Sequence, residues 1–347
     1  MLEPPAPPLP SPLPPGLILP VRCGPGGPTP KEARGPHWRR TSHGYYVPAT
    51  APDDDVRQRI VEASVLVPPG GAITGWAALA WSGARWFDGR GPSGRLLPVP
   101  VATGGRDLRS QPGIRPCREL LDPHLVSRVH GLLVADPWVA TSFEMRYAVS
   151  ERDAVVALDM AAYSDLVSVL EIAHLLSAQS GMAGAPRARR ALLRADENTW
   201  SPIEVDLRAT WVDVAGRPRP VCNRPLFDRR TGAHIGTPDV FDPVAGVAGE
   251  YDGDVHLVRR QRDRDLRREG AFREHAIEIA VMTAADRHDA SAFVRRLATA
   301  YEHAARHPPE RTWTLEQPWW WTPTETVEQR RAITGSQRRR LLGHRAA

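Results

Sequence analysis

Thr237 to His256 constrains this chain more than any other stretch: Thr-Pro-Asp-Val-Phe-Asp-Pro-Val-Ala-Gly-Val-Ala-Gly-Glu-Tyr-Asp-Gly-Asp-Val-His. The pattern predicts two short strands joined by a tight turn over Asp242 to Gly246, each carrying an acid where an apolar residue would be expected. Asp239 follows Pro238 at the head of Val240-Phe241, and Glu250 ends the apolar run Val244 to Gly249. Neighbouring strands of a hairpin lie about 5 Å apart, so the two carboxylates are placed to converge. Like charges at that range repel unless a cation stands between them. Mg²⁺ is held by one or two carboxylates together with waters and phosphate oxygens. The stretch therefore predicts an acidic metal site at a sheet edge, suited to a phosphodiester.

A chain of 347 residues is too long for one ordinary core and implies two domains with tails. Net charge is +5, which favours an anionic partner without identifying one. Lys31 is the only lysine, so the basic side chains are arginines, which suit bidentate phosphate contacts. The abundance of Ala, Arg, Pro and Gly is equally the mark of a GC-rich genome, so basicity alone assigns nothing. Cys23, Cys117 and Cys222 are scattered and lack metal-ligand spacing, and read as reduced thiols of a cytoplasmic protein. Met1 to Pro20 has no basic start and reads as no secretory signal. The most apolar region, Ala154 to Leu176, is interrupted by Asp159, Asp165 and Glu171, and no membrane span is expected.

Along the chain, residues 1–28 read as a Pro-rich disordered leader. Residues 29–140 read as a small α+β domain. A basic turn at Trp38-Arg39-Arg40 and the aromatic strand Tyr45-Tyr46-Val47 look like the end of a winged helix, or equally like a capping strand. Asp53-Asp54-Asp55 predicts an N-cap for a helix with Val56, Ile60 and Val61 inward, and Ala72 to Ala84 predicts a second helix. Trp76, Trp81 and Trp86 are spaced as a packing face. Residues 141–196 read as a helical connector, closing on a cluster of Arg187, Arg189, Arg190 and Arg194 that either binds phosphates or forms a solvated face.

From residues 197 to 310 the element order reads α-β-β-β-α-β-α with a mixed sheet. A helix capped by Ser201-Pro202 comes first, then strands at Arg224–Phe227, His234–Phe241 and Val244–Asp252. A charged helix Arg262–His275, a strand Ile277–Met282 and a helix Asp289–Ala305 follow. The tail, 311–347, carries Trp319-Trp320-Trp321 and a basic helix from Glu325 to Arg340. Three adjacent tryptophans cannot share one helix face, so they are expected to clamp the tail onto a domain.

Pro238-Asp239 and Glu250-Tyr251-Asp252-Gly253 with His256, within that order, resemble the restriction-endonuclease-like superfamily, and most closely its very-short-patch-repair (Vsr-like) group. Asp265, Arg268 and Glu269 match that group's Asp-x-x-Arg-Glu helix, and Ser201, Pro202 and Glu204 its Ser-Pro-x-Glu helix. The upstream half, with Arg-Gly-Pro-His-Trp-Arg-Arg-Thr and Gly-Tyr-Tyr-Val-Pro-Ala, is similar to abortive-infection-type antitoxins, with a degenerate winged-helix-like start.

The resemblance implies a Mg²⁺- or Mn²⁺-dependent DNA endonuclease. Asp239 and Glu250 would be its metal ligands, with Glu204, Asp252 and His256 in the catalytic set and Arg267 and Arg268 on the phosphate. The antitoxin-like half would regulate it or meet a protein partner. Where the superfamily carries a catalytic lysine this chain has Asp252, so the alternative is a non-catalytic DNA-binding regulator in phage defence.

Overall fold

The computed structural model describes residues 13–91, 93–179, 181–252, 270–306 and 311–343. The chain packs as two compact units, Met1–Ala148 with Glu171–Ala188, and Val149–Leu170 with Arg189–Ala347. Both are mixed α+β.

In the first unit, β1 (Val21–Arg22), β2 (Trp38–Ser42) and β3 (Tyr45–Pro48) form an antiparallel sheet in the order β1-β3-β2. The second half of the expected disordered leader is therefore structured. Val21 pairs with Tyr46, and the Gln58 side-chain amide bonds both the N–H and the C=O of Ile18 at 2.9 Å. Residues 1–12 lie outside the described residues. The basic stretch ahead of β2 is one short 3-10 turn, Glu32–Arg34.

Asp55 caps α1 (Val56–Ser64), its carboxylate accepting from Gln58 N at 2.8 Å. Of the run expected as a single second helix, Ala72–Ile73 is a strand (β4), and α2 spans Gly75–Trp81. β4 joins β5 (Val99–Ala102), β6 (Ile114–Cys117), β7 (Val126–Val129) and β8 (Leu132–Ala135) in a mixed sheet ordered β6-β5-β4-β8-β7. Trp76 and Trp81 are buried in this unit, whereas Trp86 is exposed.

The run read as a helical connector is cut into pieces. The first piece, α3 (Pro137–Tyr147), begins ahead of the expected start; then come α4 (Glu151–Tyr163), α5 (Val169–Ala178) and α6 (Ala185–Arg194). Asp165 at φ 58° turns the chain out of α4. Gly184 at φ 79° ends the next connection where a Cβ would sit 2.1 Å from the Arg146 carbonyl oxygen, so only glycine fits.

In the second unit, α7 (Pro202–Ala209) runs into one π turn, Thr210–Val214. Five short strands follow: β9 (Val221–Cys222), β10 (Leu226–Asp228), β11 (His234–Gly236), β12 (Val240–Asp242) and β13 (Val247–Asp252). The strand expected over His234–Phe241 is thus two strands in different sheets. Pro238 lies between them and has no N–H to continue a ladder. Residues 270–274 are helical, and the rest of the expected charged helix lies outside the described residues. β14 (Glu278–Thr283), α8 (Ser291–Arg306), β15 (Trp313–Thr314), α9 (Val327–Ala332) and α10 (Gly335–Leu341) complete the chain.

The main sheet is ordered β14-β13-β12-β9, with β13 and β14 parallel and the other pairs antiparallel. Val240, Val247 and Met282 pack on one face with Leu207 and Trp211 of the α7 segment and Phe293 and Leu297 of α8. Phe241, Ala248 and Ile277 pack on the other with Phe272 and Trp313. That alternation is the period of two a sheet covered on both faces requires.

The expected basic tail helix is two helices. Thr334 restarts the chain with its own capping box to Gln337. Arg330 is fully buried, bonding Asp165 at 2.5 Å and the carbonyls of Thr324, Glu325 and Ala162, so this part of the basic tail faces protein.

Candidate functional site

The acidic hairpin is built largely as its sequence suggests. Asp242 makes the turn: its Oδ1 accepts from Val244 N at 2.8 Å and Ala245 N at 3.1 Å, and Gly246 takes φ 72°. Val240 pairs with Gly249, so continuing the antiparallel register by one residue sets Asp239 opposite Glu250. Tyr251 N donates to Asp239 Oδ2 at 2.8 Å, which holds the aspartate against β13. Side chains of such a cross-strand pair leave the sheet on the same face with Cβ atoms about 5 Å apart. Register therefore makes Asp239 and Glu250 cross-strand neighbours.

Glu204 joins from α7. Ser201 caps the helix, its Oγ accepting from Glu204 N at 3.3 Å and its hydroxyl donating to Glu204 Oε1 at 3.0 Å. Trp200 N donates to Glu204 Oε2 at 2.8 Å, a capping box whose return bond lands one residue before the cap. Asn223 Nδ2 donates to the same oxygen at 2.6 Å. Glu204 is 9% exposed. Burial, and next the charge of Asp239, raise its carboxyl from 4.5 to about 8 against the pull of those three donors. Glu204 and Asp239 are therefore close enough to compete for charge.

Of the remaining expected residues, Asp252 ends β13 opposite Thr283 and is exposed. His256, Arg267 and Arg268 lie outside the described residues, as do Asp265 and Glu269. Among the described residues no group of three or more His, Cys, Asp and Glu side chains is placed to hold a metal ion by itself. The donor set is all oxygen and comes in neighbouring pairs. That suits a hard cation bound through one or two carboxylates with waters and substrate oxygens, and does not suit an all-protein cage.

Asn223 and its supports were not singled out by sequence. Asn223 follows β9 with φ 46°, its N–H donating to the Asp239 carbonyl oxygen at 3.0 Å. Asn198 Nδ2 bonds the carbonyls of Cys222 and Asn223, both at 2.9 Å, and the Trp200 indole N–H donates to Asn198 Oδ1 at 3.0 Å. These bonds fasten the loop before α7 to the end of β9. The available signal was local: an Asn closing a strand two residues before Pro225, in a residue type that tolerates left-handed backbone.

In the cluster read as binding phosphates or forming a solvated face, Arg187, Arg190 and Arg194 are engaged within the protein. Arg187 donates to the carbonyls of Arg146 and Ala148. Arg190 and Arg194 pair with Glu151, and Arg194 also with Asp213. Arg208 is buried on Asp159 at 2.7 Å and also meets Thr199 and the Cys222 sulfur. Burial pushes the Cys222 thiol up to about 12, which makes it no nucleophile. A pocket of about 380 Å³ between α4 and α7 is lined by Arg152, Arg194, Arg208 and Arg219, each already bonded to carboxylates or carbonyls. In the tail, Trp320 and Trp321 meet Phe227 edge-on while Trp319 is 96% exposed, so two of the three tryptophans form the clamp.

No protein-family model, curated protein or solved structure matches this chain.

Proposed function

We propose that the second unit is a metal-dependent phosphodiesterase of the restriction-endonuclease-like type, acting on DNA. The observation that carries the reading is the meeting of acids from two separate elements. Glu204 from a helix and Asp239 from a strand entrance compete for charge, and Glu250 is Asp239's cross-strand neighbour. Such an arrangement is unfavourable alone and becomes favourable around a divalent cation. Asp239 and Glu250 would hold Mg²⁺ or Mn²⁺, with Glu204 completing the acidic wall. The bound ion would supply an acidified water and charge stabilisation at phosphorus. Tyr251 N fixes Asp239, and Ser201, Trp200 and Asn223 fix Glu204, so the oxygens are oriented before any ion arrives. His256 would take the proton of the attacking water, and Arg267 and Arg268 would contact the phosphate.

Asp252 favours a second reading. Its carboxylate is exposed where a water-positioning lysine would serve catalysis, which suits a DNA-binding regulator that retains the fold as a scaffold. The first unit, with its small antiparallel sheet, would then supply antitoxin-like regulation or a protein contact. The three free thiols suit a reducing, cytoplasmic setting. Among the described residues no helix is long and apolar enough to cross a membrane.

Incubation of supercoiled plasmid with the protein and Mg²⁺ or Mn²⁺, beside Asp239→Ala and Glu250→Ala, tests the enzyme. Nicking by the wild type that both variants lose is the expected result. Equal nicking by all three refutes it, and sequence-specific binding without cleavage selects the regulator.

A further inference from the structure

We infer that Asn223 is a working member of the acidic site, its side-chain carbonyl oxygen serving as a neutral oxygen donor to the divalent cation or to that cation's bound water. The inference rests on the metal reading of Glu204, Asp239 and Glu250. It starts from an imbalance in the protein's own hydrogen bonding.

Asn223 is 2% exposed, and its buried Oδ1 has no hydrogen-bond partner among the described residues. The orientation of the amide is not arbitrary. Nδ2 stands 2.8 Å from the Asn198 carbonyl oxygen and 2.6 Å from Glu204 Oε2, both acceptors, so the nitrogen must face them and the oxygen must face away. The two polar atoms of one amide are about 2.2 Å apart by bond geometry, which keeps Oδ1 within about 5 Å of Glu204 Oε2. The same residue's backbone N–H holds the Asp239 carbonyl oxygen at 3.0 Å. Asn223 thus bonds both acids' residues and presents one unsatisfied acceptor beside them.

A buried acceptor without a donor is destabilising, and so is a non-glycine residue at φ 46°. Both are offset if something carrying positive charge or a proton occupies the site. A third carboxylate here would add like charge beside Glu204 and Asp239, whereas an amide oxygen adds a hard donor at no cost in charge. The chemical class that fits is a hydrated divalent cation.

Calorimetric titration of the full chain with Mn²⁺ tests this, comparing wild type, Glu250→Ala, Asn223→Gly and Asn223→Asp. Glycine accepts the left-handed backbone and removes only the side chain. The expected result is that Asn223→Gly weakens Mn²⁺ binding by roughly tenfold while far-UV circular dichroism stays that of the wild type, and that Asn223→Asp at alkaline pH tightens it. Wild-type affinity in Asn223→Gly, with binding lost in Glu250→Ala, overturns the role of Asn223 and leaves the acidic site standing. Absence of Mn²⁺ binding by the wild type overturns both. If the glycine variant does not fold, binding by Asn223→Asp no tighter than wild type overturns the inference.

Discussion

Replacing Glu204 by Gln gives the sharpest physical test of the acidic site, because it needs neither substrate nor turnover. Gln keeps the shape of the side chain. Its oxygen can accept from Trp200 N and Asn223 Nδ2, and its amide nitrogen meets the Ser201 hydroxyl, which can turn to accept. What disappears is the titration. In the folded protein the Glu204 carboxyl is raised from 4.5 to about 8 by burial and by Asp239, so between those values the folded state holds a proton that the unfolded state has released.

The associated stability is fully present below the unfolded value and is lost as pH rises through the folded one. Between about pH 6 and about pH 8 a single such group removes about 2 kcal/mol of folding stability. Groups titrating in both proteins cancel in the difference. Urea denaturation read by tryptophan fluorescence, with Trp200 and Trp211 both in the affected unit, should therefore show the stability of Glu204→Gln minus wild type growing by about 2 kcal/mol over that interval in a chelator-containing buffer. Adding Mg²⁺ or Mn²⁺ should flatten the wild-type slope, because a cation replaces the proton as the partner of the carboxylate. A difference that stays constant with pH would refute both the raised titration and the crowding of acids from which it follows.

Two further outcomes test how the site is held. Gly249→Ala would place a Cβ 2.6 Å from Val240 Cγ2 and 2.9 Å from the ring of the fully buried Trp211; it should destabilise the second unit by about 1–3 kcal/mol, seen as a lower urea midpoint at unchanged slope. Asp159→Ala would strand the 4%-exposed Arg208 guanidinium, at a cost of about 3–5 kcal/mol that the double variant with Arg208→Met should largely recover; failure of that recovery in a thermal-melt double-mutant cycle would show the pair is more than a buried charge couple.

Local pattern carried the elements whose logic is local. The Asp242-to-Gly246 turn, the Asp55 and Ser201 caps and the apolar run that opens β13 can be read from neighbours in sequence, and the structure has them. Pro238 carried a legible warning that one expected strand was two, and Gly184 and Asp165 marked breaks in a segment read as continuous helix. Arginine was the least legible residue type. Its charge left phosphate and solvent both open for the cluster from Arg187 to Arg194, yet Arg187 meets carbonyls and Arg190 and Arg194 meet Glu151, while Arg330 is buried on Asp165, far away in sequence. Nothing in a basic run says which of its members folding will neutralise.

The acidic site divides along the same line. Asp239 and Glu250 are joined by a hairpin, so strand register alone brings them together. Glu204 needs a helix start folded onto the end of β9, and Asn223 needs that same docking before its amide can face Glu204. An asparagine among polar loop residues has no sequence signature of being buried with one oxygen unanswered, because that property belongs to four segments at once: the loop holding Asn198, the first turn of α7, the end of β9 and the entrance to β12. The residues hardest to foresee are those whose hydrogen-bonding account is left open by the fold. An open account beside two crowded carboxylates is a stronger pointer to an ion than the carboxylates are alone.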